Sequence, residues 1–245
     1  MAGHSKWANI RHRKERMDAR RGKLFSRLIR EVMVAAKIGG SDPAANPRLR
    51  LAMERARDAN VPGDNLARAV KKGGGQNDGG DYAELRYEGF GPGGAAVIVE
   101  VFTDNKNRTL GEVRHAFTKN GGNLAANGAV AHLFRRRGQL LFSAVAGELL
   151  MEKAIEHGAE DFDGDDDGAE VLCAPEMLPQ MVDALRAAGF SPDVAEVIMR
   201  PEGEIITLTG ADAEKMRKLT DALEDADDVQ QVYTNANFGD DDNDN

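Results

Sequence analysis

The sequence predicts an α+β fold: an N-terminal three-helix domain followed by two ferredoxin-like α/β domains, one inserted in the other. Three observations predict it. Apolar residues recur at helical spacing through the first part of the chain. A Gly-rich polar stretch, Lys71 to Asp81, then interrupts the pattern. Beyond it, strand and helix patterns alternate, with two strand–helix–strand halves separated by residues 135–202. The expected organisation is a basic helical domain over 1–78, with its linker ending at residue 81. A split α/β domain over 82–134 and 203–238, an inserted α/β domain over 135–202 and an acidic disordered tail over 239–245 complete it.

Taken in order, the chain opens on its most basic stretch. Residues 1–37 hold eleven Lys or Arg against Glu15, Asp18 and Glu31, a local excess of +8 in a protein of formal net charge −9. Residues 1–78 carry a net +10 and residues 79–245 a net −19. Such an opening in an acidic protein points to a polyanion, and nucleic-acid phosphate is the candidate. Its solvated-surface alternative is weak, because acids are too sparse for many i,i+4 pairs. The candidate contacts are Lys6, Trp7, Asn9, Arg11, His12, Arg13, Lys14, Arg16, Arg20, Arg21, Lys23 and Arg27. For Trp7, the single Trp, two readings stand: stacking on a base or ribose, or packing against the bundle. His4 and His12 have no Cys or further His spaced to complete a metal site.

Leu24, Phe25, Leu28, Ile29, Val32, Met33 and Ala36 predict a first helix, stopped at Gly39-Gly40. Asn46-Pro47 supplies an N-cap and a first-turn proline for a second, with Leu49, Ala52, Met53 and Ala56 turned inward. Val61-Pro62 starts a third, which ends near Lys71-Lys72. After the linker, Ala95–Phe102 predicts a buried strand, Arg108–Lys119 a helix and Val130–Phe134 a second strand. The same order returns as Glu204–Leu208, Ala211–Leu223 and Val229–Tyr233. Within the insert, strands are expected at Gln139–Phe142, Glu160–Phe162, Glu170–Cys173 and Ala195–Met199, and helices at Gly147–His157 and Pro175–Ala188.

Three motifs invite over-reading. Gly89-Phe90-Gly91-Pro92-Gly93-Gly94 has dinucleotide-binding spacing, but that chemistry needs a strand before it and a helix after it; a strand is expected to follow, so the glycines read as a tight turn. Asp163 to Gly168 begins like a calcium loop, yet its twelfth position is Ala174, which favours a hairpin turn with solvated acids. Cys173, the only Cys, lies on an apolar strand and reads as a buried thiol. A further cluster, Asn105, Lys106, Asn107 and Arg108, joins a strand to a helix, with Arg114 and His115 following. It reads both as an N-cap turn and as a second nucleic-acid contact, and the two are compatible.

The motifs MAGHSKWANIRHRK, RGKLFSRLIREV, GGSDPAANPRLR, RYEGFGPGG, TDNKNRT, EVRHAFTKNGGNL and DALEDADDVQQVYTNA, in this order, resemble the YebC/PmpR family over essentially the whole chain. The sequence departs from the pattern at Ala125-Ala126-Asn127-Gly128 and at His132. The resemblance implies a helical domain plus two α/β domains and a DNA-binding transcriptional regulator. Its mitochondrial relatives imply a translational activator, and bacterial members a link to stalled ribosomes.

The function expected is therefore non-enzymatic nucleic-acid binding that regulates gene expression, with a ribosome- or RNA-associated translation factor as the alternative. No acid pair, metal cluster or nucleophile–base set carries an enzyme reading, and no cofactor is expected. The expected partners are DNA or RNA, with the ribosome in the translational alternative; the acidic domains either repel nonspecific nucleic acid or dock a basic protein. A single Cys and the lack of a membrane-length apolar run fit the cytoplasm.

Overall fold

The computed structural model describes residues 21–75, 82–143, 147–165 and 168–239. Its chain divides into two compact units: 1–70 with 136–199, and 71–135 with 200–245. Seven α-helices and three sheets are described, an α+β fold.

The first unit opens with three helices, α1 (Arg21–Gly39), α2 (Pro47–Asp58) and α3 (Gly63–Gly73, whose last residues pass into the second unit). Leu28, Val32, Ala35 and Ala36 stand three or four apart on α1, and they pack with Leu49, Ala52 and Ala56 of α2 and Leu66 and Ala69 of α3. One buried side chain sets the α1–α2 turn. The Asn46 amide donates to the carbonyls of Ala35 and Gly40, both at 2.8 Å, while its oxygen caps α2 by accepting from the Leu49 N–H at 3.0 Å. Gly40 makes this turn possible at φ +89°, a conformation open to glycine.

The insert follows the expected βαββαβ order: β4 (Phe134–Ser143), α5 (Gly147–Glu156), β5 (Asp161–Gly164), β6 (Gly168–Cys173), α6 (Leu178–Ala187) and β7 (Val194–Pro201). The sheet order β5-β6-β4-β7 is ferredoxin-like. Leu140, Phe142, Val171 and Cys173 meet Leu150, Met181, Val182 and Leu185 from the helices. Burial pushes the Cys173 thiol up to about 11, so it stays protonated and unreactive at neutral pH. Within the same unit α2 is tied to this acidic insert by three ion pairs: Arg50–Asp183 (3.7 Å), Glu54–Arg186 (3.0 Å) and Arg55–Glu196 (2.8 Å). Leu51 adds an apolar contact to the insert core. Some of the insert's acidity is thus answered by the chain's own basic bundle.

The second unit holds β1 (Ala83–Phe90), β2 (Ala96–Thr103), α4 (Lys106–Lys119), β3 (Asn123–Ala125), β8 (Ile206–Leu208), α7 (Gly210–Asp225), β9 (Val229–Thr234) and β10 (Ala236–Phe238). Its main sheet runs β3-β1-β2-β9, with all three neighbouring pairs antiparallel. Val97, Val99 and Val101 face α4 and α7, which bring Val113, Phe117, Met216, Leu219 and Leu223.

At the Gly-rich motif a tight 3-10 turn forms at Pro92–Gly94 and the expected strand, β2, follows; β1, which the sequence reading did not place, precedes it. Two expectations fail here. Val130–Phe134 is not a strand: residues 131–133 form a 3-10 turn, and the short β3 at Asn123–Ala125 takes the sheet edge. The second half gives the main sheet only β9, because β8 pairs in parallel with β10 in a separate two-stranded sheet. The expected linker residues 76–81 and tail residues 240–245 lie outside the described residues.

Candidate nucleic-acid interface

Of the sequence-predicted contacts, Lys6, Trp7, Asn9, Arg11, His12, Arg13, Lys14, Arg16 and Arg20 lie outside the described residues, and Arg21 is described by its backbone. Lys23 and Arg27 are half-buried on α1. Asn105, Lys106, Asn107 and Arg108 are all exposed at the junction of β2 and α4.

That junction is built around one buried carboxylate. Asp228, on the turn between α7 and β9, is 4% exposed. Its Oδ2 accepts from the Thr103 hydroxyl (3.0 Å), the Thr109 hydroxyl (2.7 Å) and the Arg108 guanidinium (2.7 Å). Burial alone would raise its pKa, but the bonds from Arg108, Thr109 and Thr103 outweigh it and hold the carboxyl below its usual range. Arg108 also reaches Asp104 at 3.1 Å. The Asn105 side chain caps α4 by accepting from the Arg108 N–H at 3.1 Å. The Tyr87 hydroxyl donates to the Lys106 carbonyl at 3.4 Å, and burial with the nearby Asp228 charge raises the Tyr87 pKa.

The four predicted contacts therefore divide. Asn105 and Arg108 hold the loop, while Lys106 and Asn107 project from it with no side-chain partner among the described residues. The loop was legible as a cap, but its anchor was not. Arg108 and Asp228 lie 120 residues apart in sequence, and no local pattern joins them.

A second anchor was missed as well. Glu88 on β1 is 4% exposed, and its carboxylate accepts from the backbone N–H of Gly128, Val130 and Ala131, each at 2.9 Å. Burial pushes this carboxyl up, but the three amide bonds and the neighbouring Arg86 leave it lowered. The clamp explains why Val130–Phe134 is not a strand: two of its amides are taken by Glu88. Replacing Glu88 by Gln leaves one acceptor oxygen for three donors. The expected cost is about 2 kcal/mol, with faster hydrogen exchange at Gly128, Val130 and Ala131 as the check. The sequence reading also passed over Arg135 and Arg136, both exposed at the start of β4.

Residues 5–76 match the profile of the TACO1/YebC protein N-terminal domain, and residues 82–236 match that of the TACO1/YebC second and third domain. The chain belongs to the TACO1/YebC family. The first-domain match begins at residue 5, so the predicted contacts from Lys6 to Arg27 all fall within it. A "probable transcriptional regulatory protein" of Paraburkholderia phytofirmans is 57% identical over 98% of this chain and 100% of its own length. One so named from Nitrosomonas europaea is 56% identical over 96% of this chain and 98% of its own length. A solved crystal structure, that of a conserved hypothetical protein of Aquifex aeolicus, is 45% identical with a TM-score of 0.85. The match covers 93% of this chain and 95% of that one.

Proposed function

We propose that this TACO1/YebC member is a non-enzymatic nucleic-acid-binding regulator of gene expression, acting in the cytoplasm as a DNA-binding transcriptional regulator. The observation that carries this reading is the basic opening: eleven Lys or Arg against three acids in residues 1–37 of a chain whose net charge is −9. The names of its relatives in Paraburkholderia and Nitrosomonas support a regulatory role. The arm supplies phosphate affinity, which carries no sequence information. Preference for a target comes from Trp7, Asn9, His12 and the projecting pair Lys106 and Asn107. The two buried carboxylates described above hold loops, which is a structural use. Among the described residues no group of His, Cys, Asp and Glu is arranged to hold a metal ion, and no helix is long and apolar enough to cross a membrane.

A second reading has its own support. The basic residues are gathered at the front of the sequence, which carries no recognisable helix-turn-helix pattern, and such a stretch suits shaped RNA as well as a groove. In that reading the chain is a ribosome- or RNA-associated factor that relieves stalling or activates translation. Crosslinking in intact cells, with sequencing of both the RNA and the DNA recovered, tests the pair. Reads concentrated at promoter DNA support the transcriptional reading. Reads concentrated in ribosomal RNA overturn it in favour of the translational one, and background levels of both sink the proposal.

A further inference from the structure

Helix α4 is unlike the rest of its surroundings. Residues 79–245 carry a net −19, yet α4 holds Lys106, Arg108, Arg114 and Lys119 against Glu112 alone. Arg108 is committed to Asp228 and Asp104. Lys106, Arg114 and Lys119 have no acidic partner among the described residues, and all three are exposed. Unpaired cations on an otherwise acidic chain favour an anionic occupant from outside.

On its Arg114 side the helix carries a glycine that its own fold does not require. Asn107, Gly111, Arg114 and Thr118 recur at intervals of four, three and four, which places them on one stripe. Gly111 sits inside a fourteen-residue helix, where glycine is the worst residue after proline. Its backbone is ordinary helix, and a Cβ added there meets nothing within 4 Å. Neither strain nor packing demands it. What a missing side chain leaves is room for something to approach the helix backbone closely.

Chemistry narrows the occupant. Protein interfaces gather large apolar and aromatic residues at their centre. None of the large hydrophobic residues exposed among the described residues is on α4. A sugar–phosphate backbone needs cations and hydrogen-bonding groups instead, and the stripe offers both.

We infer that the face of α4 formed by Asn107, Gly111, Arg114 and Thr118 is a second docking surface for a nucleic-acid backbone, which passes over Gly111 between Arg114 and Asn107. Lys106 extends it to the loop. The inference rests on the nucleic-acid reading above and deepens it by giving the second unit a contact of its own. With two surfaces on one chain, binding gains from linkage as well as from contact.

The test uses the full chain with a labelled RNA hairpin and a DNA hairpin of the same sequence, followed by fluorescence anisotropy over a salt series. Arg114→Gln is expected to weaken binding several-fold and to reduce the salt slope by about 0.7 to 0.9. Gly111→Gln is expected to raise Tm, since Gln is the better helix former, while weakening binding several-fold. A purely structural glycine would not give opposite signs in these two readouts. Equal losses on both hairpins assign the contact to phosphate, and a larger loss on RNA adds the 2′-hydroxyl; either supports the inference. If the parent binds and the basic opening's arginines matter, but Arg114→Gln and Gly111→Gln bind as the parent does, this inference alone falls. If the parent binds neither hairpin, both readings fall together.

Discussion

Changing Arg11, Arg13, Lys14 and Arg16 together to Ala is expected to leave the fold intact and to remove most nucleic-acid affinity. The fold survives because the helical core is assembled from residues between Leu24 and Val70, all beyond the substituted positions. The substitution takes four of the eleven cations from the opening stretch, and each phosphate it frees returns its counterions. A loss on the order of a hundredfold at low salt follows, with the log–log salt slope reduced by about 3. Anisotropy against salt measures both, and a thermal melt alongside shows that the variant is folded. Binding by the folded variant that matches the parent in affinity and slope would sink the arm hypothesis. A loss of affinity with an unchanged slope would also count against it, because phosphate contacts and slope go together.

How much of this was written locally in the chain varies by element. The helical bundle was legible because Leu28, Val32, Ala35 and Ala36 repeat at helical spacing and Asn46-Pro47 marks the next start. The insert was legible because its apolar strands alternate with helical stretches in a regular order. By contrast, β1 hid behind its charges. Leu85 and Tyr87 face the core, while the alternate positions Glu84, Arg86 and Glu88 look like a solvent-facing loop. Their roles lie elsewhere in the chain: Arg86 sits opposite Glu100 on β2, and Glu88 binds amides 40 to 43 residues away. Val130–Phe134 failed for the converse reason. Its apolar look is real, but a carboxylate from β1 claims two of its amides before a neighbouring strand can. The candidate interface divides in the same way. A run of Arg and Lys advertises itself, whereas the buried acid that steadies a loop depends on contacts no local window contains.

That acid supports the other large prediction. Asp228→Ala is expected to destabilise the protein by roughly 3 kcal/mol. Thr103 and Thr109 are fully buried, and the substitution strips both hydroxyls of the carboxylate they share. The ion pair contributes less than the hydroxyls, since Arg108 is 46% exposed and keeps Asp104. For a chain of this size the shift corresponds to a fall in Tm of about 6 to 12 °C. Acid dependence separates charge from packing. The folded-state pKa of Asp228 lies below its unfolded value of about 3.9. The stabilisation is therefore complete above that value and is lost as pH falls through the folded pKa. Asp228→Asn should accordingly be weaker than the parent at neutral pH, and the gap should close as the solution is taken well below pH ~4. A gap that stays constant down to that pH would mean that size and shape, not the carboxylate charge, hold the loop. A loosened loop should also present Lys106 less firmly, so the same variant is expected to bind nucleic acid a few-fold more weakly at temperatures where it remains folded.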